Sequence, residues 1–155
     1  RDNRTDAKNQ EQFFIWSEQT TFMQEYNLVS QIPNCSYPFW VAKEFGDGYG
    51  FDILGYDHQK NKEKITEVKS GLSDDFSLTS HEYYEMLKSC NNNADYYIDK
   101  YTCYDGKGQI NKSTYLFLPD SGKIRDIATN KEYYLEPTIY NDKREKKQVF
   151  TLKRN

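Results

Sequence analysis

The sequence predicts an α/β sandwich rather than a regularly alternating doubly wound fold. Three observations predict this class: a long helical pattern opens the chain, two strand-like runs then flank a short polar loop, and a capped second helix precedes further strand-like runs. The 155 residues fit one domain that is large enough for a core. Since the chain has 14 Tyr and 9 Phe, we expect that core to be rich in aromatic side chains.

The first predicted element is one long helix from about Asp6 to Ser30. Its large apolar residues recur at spacings of three, seven and three: Phe13, Trp16, Met23 and Tyr26. Pro33 and Pro38 then interrupt the chain, and Phe39 to Glu44 reads as a short strand.

A β-hairpin is the central predicted element. Phe51 to Tyr56 forms its first strand, His58 to Lys62 its polar loop, and Glu63 to Ser70 its second strand. Asp52 and Glu67 therefore lie on adjacent antiparallel strands.

The hairpin brings together residue types that suit phosphodiester hydrolysis. Side chains alternate along a strand, so Glu67 and Lys69 point to the same face. Hard divalent cations bind one or two carboxylates plus substrate phosphate, and a lysine beside them can orient a water molecule. A Glu-x-Lys alone is weak support, because most such triplets are ordinary solvated strand faces. Its spacing from Asp52 is what strengthens the prediction.

The second half of the chain begins with a capping box. Thr79-Ser-His-Glu82 predicts the start of a helix that ends at about Cys90. Asp95 to Tyr104 reads as a strand, and so do Tyr115 to Leu118 and Tyr133 to Tyr140. Glu82 is best explained by its capping role.

Two features of this half leave alternatives open. Tyr96, Tyr97 and Tyr101 could stack on bases, although alternation between core and surface is the better explanation. The last segment is locally basic in a chain of net charge −3, and it is read more readily as a solvated tail than as a phosphate-binding strip. Its cations are Lys143, Arg144, Lys146, Lys147, Lys153 and Arg154.

Cysteine and histidine content favours reduced thiols and disfavours a zinc site. Cys35, Cys90 and Cys103 have no CxxC spacing and are expected to be reduced thiols of a cytoplasmic protein. The two histidines lack partners at zinc-ligand spacing. No apolar stretch is long enough for a bilayer, so we expect no membrane association. Arg1 in place of Met suggests a domain excised from a larger protein.

Four segments together resemble the PD-(D/E)XK nuclease superfamily, and more narrowly its NO VEIN-type C-terminal domain. They are Gly48 to Ile53, Ile65 to Ser70, Phe76 to Glu82 and Asp95 to Tyr101. The resemblance implies a restriction-endonuclease-like mixed β-sheet flanked by helices. It covers about residues 9–105 of a single nuclease-like domain, 1–155, and leaves 106–155 as a β-rich C-terminal extension with a basic tail.

The resemblance also implies roles for individual residues. Asp52 and Glu67 fall on the two metal-binding acids and Lys69 on the catalytic lysine, while the backbone carbonyl of Val68 would be a further metal ligand. Glu11 falls where an additional catalytic glutamate of the first helix is expected. The implied cofactor is Mg²⁺ or Mn²⁺. One departure is that Ser80-His81 stands where members often carry a basic residue and an asparagine.

The expected function is a metal-dependent endonuclease domain acting on DNA, as part of a restriction or anti-phage defence protein. A fused or associated ATPase or helicase is an implied partner, and cutting both strands would make a homodimer attractive. The alternative is a catalytically inactive module that binds nucleic acid or protein beside such an ATPase. A third possibility is a tyrosine-rich interaction domain. The acidic net charge favours these two slightly.

Overall fold

A computed structural model of the chain describes residues 3–103 and 108–154. It has a mixed α/β architecture, in which a single large sheet dominates and helices are few. The α-helices within these ranges are α1 Asn3–Val29, α2 Val41–Phe45 and α3 Ser80–Asn91, and a 3-10 turn spans Asp47–Tyr49. The predicted α/β class is therefore confirmed at this coarser level.

The sheet has nine strands in the order β1-β2-β3-β5-β6-β7-β8-β9-β4. The first five in chain order are β1 Phe39–Trp40, β2 Ile53–Asp57, β3 Lys62–Gly71, β4 Ser77–Thr79 and β5 Asp95–Thr102. The remaining four are β6 Asn111–Leu118, β7 Lys123–Asp126, β8 Glu132–Asp142 and β9 Glu145–Lys153. Strands β3 and β5 pair in parallel, whereas the other neighbours are antiparallel.

The two long helices lie on opposite faces of the sheet. Successive side chains of β3 alternate between these two faces. Ile65 of β3 belongs to the larger core, which includes Met86 of α3. Val68, three residues later, belongs to the smaller core, which includes Phe13 and Phe22 of α1. The odd-numbered residues of β3, Glu67 and Lys69 among them, therefore share the α3 face.

The sheet curves around α3, so that β3 and β9 contribute to one core. Phe150 of β9 and Ile65 of β3 belong to the same core, although several strands separate them in the sheet. Phe150 also stacks on Tyr83 of α3 with ring centroids 3.7 Å apart. The core is aromatic, as predicted, since Tyr96 and Tyr115 are among its largest fully buried side chains.

A buried polar network ties α1 to the sheet. The Asp99 carboxylate of β5 accepts hydrogen bonds from Thr21 of α1 at 3.1 Å and from Thr114 of β6 at 2.8 Å. Lys112 forms an ion pair with the same carboxylate at 3.2 Å. Because its hydrogen bonds and ion pair are all made within the fold, this cluster has a structural role.

Most predicted elements are confirmed, but the predicted strand from Phe39 to Glu44 is wrong beyond Trp40. Residues 41–45 form α2 instead, with Val41 buried and the amide of Ala42 donating to the carbonyl of Asp52 at 3.1 Å. Ala, Lys and Glu are good helix formers, which explains the difference. Tyr104, predicted at the end of a strand, lies outside the described residues.

The three tyrosines of β5 follow the simpler expectation. Tyr96 and Tyr101 are buried, which favours a core role over base stacking, while Tyr97 is half-buried with the Lys64 ammonium over its ring. Cys35, Cys90 and Cys103 are joined by no disulfide within the described part of the chain.

The basic C-terminal segment is a β-strand rather than a tail. It forms β9, which pairs along its length with β8 and near its end with β4. Strands β4, β7 and β9 were not predicted from the sequence, since each is short or lacks a run of apolar residues. Of the helices that the structure describes, none combines the length and the apolar composition needed to cross a membrane.

Substitution of Leu78 tests how β4 and α3 pack on the curved sheet. Its side chain is 0 % exposed in the larger core, so Leu78→Ala should lower the free energy of unfolding by about 2–5 kcal/mol. Leu72→Ala is the matched control, since Leu72 is 56 % exposed, and it should cost less than about 0.5 kcal/mol. Urea denaturation measures both, and equal losses would contradict this core assignment.

Candidate active site

A cleft of about 270 Å³ opens where β2 begins and β3 ends. Phe14 of α1 and Glu82 in the first turn of α3 line it together with the hairpin. The residues lining it are Phe14, Gly50, Phe51, Asp52, Glu67, Val68, Lys69, Ser70 and Glu82. Three of the predicted catalytic residues and the predicted backbone ligand therefore share one cavity.

Asp52 is held by backbone hydrogen bonds to β3. Its amide donates to the carbonyl of Thr66 at 3.1 Å, and its Oδ2 accepts from the amide of Val68 at 2.7 Å. The side chain is buried, with 8 % of the residue exposed. The hairpin register thus fixes the carboxylate beside Glu67.

The loop before Asp52 is fastened to α3 and β5. The Tyr96 hydroxyl donates to the carbonyl of Gly50 at 3.1 Å, and His81 Nε2 donates to the carbonyl of Gly48 at 2.7 Å. Gly50 has φ 77°, and a Cβ atom there would lie 2.9 Å from Cβ of Glu85. Glycine is therefore required at this close approach. His81, the departure from the family pattern, holds this loop.

Glu67 and Lys69 point into the cleft side by side, as the alternation of β3 predicts. Lys69 Nζ lies 3.7 Å from Glu67 Oε1 and 2.7 Å from Glu82 Oε1. Glu67 is almost completely buried, whereas the Lys69 side chain retains partial exposure. The ammonium therefore bridges two carboxylates at the cleft wall.

Glu82 joins the site while it also caps α3. Its Oε1 accepts from the Thr79 amide at 2.9 Å as well as from Lys69, and its own amide donates to Thr79 Oγ1 at 3.1 Å. The capping box predicted from the sequence is confirmed. Its second role was missed, because the sequence places Glu82 in a cap without indicating that the cap faces the hairpin.

Helix α1 contributes Glu18 to this region. Glu18 is buried and accepts a hydrogen bond from Trp40 Nε1 at 2.8 Å, and its negative charge raises the pKa of Asp52. Glu11 is exposed on the same helix, one turn before Phe14, which lines the cleft. No burial pattern in the sequence distinguishes these two glutamates, because α1 has many polar positions.

Burial dominates the electrostatics of the two central acids. Desolvation raises the pKa of Asp52 to about 7, against the lowering effect of the Val68 amide. Desolvation, together with the negative charge of Asp52, also raises the pKa of Glu67 well above its usual value. The positive charge near these two carboxyl groups is thus too small to offset the effect of their burial on the pKa.

For the Lys69–Glu82 ion pair, neighbouring charges and hydrogen bonds outweigh the effect of burial on the pKa. Burial alone would raise the pKa of Glu82, but hydrogen bonds with Glu67 and Lys69 lower it. Burial alone would lower the pKa of Lys69, but the charges of Glu67 and Glu82 raise it. Lys69 and Glu82 therefore favour their charged forms, whereas the surroundings of Glu67 favour its protonated form.

The donor set fits a hard divalent cation. Among the side chains that the structure describes, no group of three or more His, Cys, Asp or Glu is arranged to hold a metal ion. Mg²⁺, however, is usually bound by one or two carboxylates, with waters and substrate phosphate completing its shell. Asp52 and Glu67 supply two buried carboxylates that are short of positive charge, and a cation between them would meet that shortage.

No family model matches this chain, and no solved structure matches it at a significant level. The functional interpretation therefore rests on the chemistry of the cleft.

The raised pKa of Asp52 predicts that stability falls as pH rises. The folded-state pKa is about 7 against 3.8 for the ordinary group, so the folded protein binds the additional proton and loses stability between about pH 4 and pH 7. In EDTA, Asp52→Asn should equal the wild type at pH 4 but melt at higher temperature at pH 8. The gain should be roughly 2–4 °C for each kcal/mol recovered.

The control for this experiment is Asp120→Asn, at an exposed position outside the cleft. It should leave the pH dependence of Tm unchanged in differential scanning calorimetry. An Asp52→Asn variant that is less stable than the wild type at pH 8 would contradict the electrostatic assignment.

Proposed function

We propose that this chain is a metal-dependent nuclease domain of the PD-(D/E)XK type, which hydrolyses phosphodiester bonds of DNA. The observation that supports it is the convergence of Asp52, Glu67 and Lys69 on one cleft. An acid pair and an adjacent ammonium are the groups that metal-assisted phosphodiester hydrolysis requires.

Asp52, Glu67 and the carbonyl of Val68 would hold Mg²⁺ or Mn²⁺. When bound, the cation supplies Lewis-acid polarisation of a phosphate oxygen and offsets the negative charge that grows in the transition state. The protein's part is to keep both carboxylates at fixed positions. The 2.7 Å hydrogen bond from Val68 to Asp52 does this for one of them.

Lys69 would orient the attacking water and stabilise negative charge on the phosphate. An ammonium group has three N–H donors, so the contacts with Glu82 and Glu67 leave one donor for a water or a phosphate oxygen. Glu82 limits the movement of the lysine because it accepts from both Lys69 and the Thr79 amide. Pre-organisation of this kind lowers the cost of reaching the transition state.

The surrounding architecture agrees with a restriction-endonuclease-like domain. The cleft lies at the β2–β3 hairpin of a mixed sheet with α1 and α3 on its two faces. A role in restriction or anti-phage defence, an associated ATPase or helicase, and a homodimer that cuts both strands are parts of the same proposal.

A second candidate is a binding module without hydrolytic activity. It is favoured by the engagement of Lys69 with Glu82 at 2.7 Å and by the absence of a three-ligand metal group in the described ranges. Cleavage of plasmid DNA with Mg²⁺, and its loss with EDTA, would distinguish the nuclease from this module.

Substitution of the central residues tests the nuclease directly. Asp52→Asn should reduce the cleavage rate at least about hundredfold, because it removes a charged metal ligand that stabilises the transition state by several kcal/mol. Lys69→Ala should cause a similar loss of rate but keep metal binding measurable by calorimetry. A single-turnover assay on a labelled duplex with Mg²⁺ measures both rates.

Two further variants control this experiment. Lys69→Arg keeps the positive charge between the two carboxylates but moves its donors, so it should fold normally and still cleave slowly. Lys88→Ala removes an exposed lysine in the last turn of α3 and should cleave at the wild-type rate. Wild-type cleavage by Asp52→Asn would overturn the proposal.

The glutamates of α1 provide a separate test. Glu18 is buried and close enough to Asp52 to affect its pKa, so Glu18→Gln should lower metal affinity or activity about 10–100-fold. Glu11→Gln, at an exposed position, should change either by less than about twofold. Metal titration and cleavage assays compare them, and the reverse order would assign the helix glutamate of the site to Glu11.

A further inference from the structure

The outer part of the β8–β9 hairpin is a free two-stranded ribbon. Strand β7 pairs with β8 only as far as Tyr134, and β4 pairs with β9 only from Val149 onward. Beyond these points, residues 139–148 pair with one another and with no other described strand. We call residues 139–148 the arm.

No side chain of the described residues packs firmly on either face of the arm. Its residues are exposed apart from half-buried Asp142, and Ile139 is 67 % exposed. From Ile139 to Asp142 the arm extends roughly 10 Å, plus the turn, at about 3.4 Å per residue. A ribbon of this size fits the major groove of B-DNA, which is about 12 Å wide and about 8.5 Å deep.

The turn at the tip is built from two cations in an unfavourable conformation. Lys143 and Arg144 have φ 47° and 74°, the left-handed region on both central residues of a two-residue turn. Asn-Gly is the preferred pair for such turns, because Gly adopts positive φ without steric cost. The basic tip is therefore present in spite of its local conformational cost.

The two faces of the arm differ in charge. Cross-strand pairing places Ile139 with Gln148 and Asn141 with Lys146, and these four side chains share one face. Asp142 and Glu145 lie on the opposite face together with the Tyr140–Lys147 pair, and Lys147 forms an ion pair with Asp142 at 3.2 Å. One face is thus free of acidic side chains, while the other carries two acids and one lysine.

The acid-free face continues the side of the sheet on which α3 lies. By the two-residue alternation it shares its side of β8 and β9 with Leu135, Phe150 and Leu152, which belong to the core around α3. The arm also leaves the sheet beside the cleft. Thr79, the N-cap of α3, pairs with Val149, and Ser80 Oγ donates to the carbonyl of Gln148 at 3.0 Å.

The chemistry of this face matches the edges of base pairs. In the major groove, Asn and Gln pair with adenine, Lys binds the guanine acceptors, and apolar groups contact the thymine methyl. The face offers each of these types through Asn141, Gln148, Lys146 and Ile139. Lys143 and Arg144 at the tip are suited to the phosphates that border the groove.

We propose that the arm binds duplex DNA by entering its major groove with the face of Ile139, Asn141, Lys146 and Gln148. This inference rests on the proposed function for its choice of DNA as the partner. In this proposal the arm holds the duplex. The arm joins the sheet next to the N-terminal end of α3, which carries Glu82.

Two matched pairs of variants test the arm in the full chain. Lys146→Gln removes the cation of the proposed DNA face, and Lys147→Gln removes its neighbour on the opposite face. The double variant Lys143→Asn with Arg144→Gly removes both tip cations and installs the preferred turn pair, so its hairpin should be at least as stable. Lys88→Asn with Lys131→Gln removes two exposed lysines elsewhere.

Fluorescence anisotropy with a labelled 30-base-pair duplex in EDTA, at several salt concentrations, measures binding without cleavage. Lys146→Gln and the tip variant should weaken binding at least about tenfold, with a salt slope reduced by about 0.9 for each lost phosphate contact. Lys147→Gln and the double lysine control should remain within about twofold of the wild type.

Three outcomes would overturn the inference: no duplex binding by the wild type, equal losses for Lys146→Gln and Lys147→Gln, or equal competition by a single-stranded oligonucleotide. The same preparations are then assayed for cleavage with Mg²⁺. Arm-dependent duplex binding without cleavage would leave the inference standing and refute the nuclease. Cleavage by the wild type, together with duplex binding that the arm variants leave unchanged, would support the nuclease and refute the inference.

Discussion

The site depends on the register between β2 and β3. The backbone of Asp52 donates to Thr66 and its carboxylate accepts from Val68, so one end of the hairpin is fastened by both main-chain and side-chain contacts. A slip of one residue would turn the side chains of Glu67 and Lys69 toward α1 and the side chain of Val68 toward α3. The two cores on either side of β3 make such a slip costly, because Ile65 and Val68 would exchange sides.

The fold concentrates carboxylates where water is scarce. Asp52 is buried beside Glu67 and close to Glu18, and Lys69 is the cation that acts on Asp52 and Glu67. Such an arrangement lowers stability unless a further cation balances it. Proteins keep such arrangements where they serve chemistry rather than stability. Glu82 links this cluster to the rest of the fold, since its single Oε1 atom serves both the helix cap and the lysine.

Local patterns of residues dictate some parts of this structure, whereas tertiary contacts decide others. The hairpin and the capping box have their own signatures, so the proximity of Asp52, Glu67 and Lys69 followed from alternation and spacing. Strand β9 lacks an apolar run, because its outer half faces solvent on both sides. The second role of Glu82 and the burial of Glu18 depend on how the helices pack on the sheet, which no local pattern encodes.

The strands of the arm pair with one another and with no other described strand, so the arm can change in sequence independently of the sheet. Its outer residues support no part of the core, so they can be exchanged, or the turn lengthened, while the cleft around Asp52 keeps its shape. If the arm binds DNA as proposed, the preferred DNA can change among related chains without any change at Asp52, Glu67 or Lys69. Grafting foreign hairpins onto the junction at Val149 would be a direct way to exploit this separation.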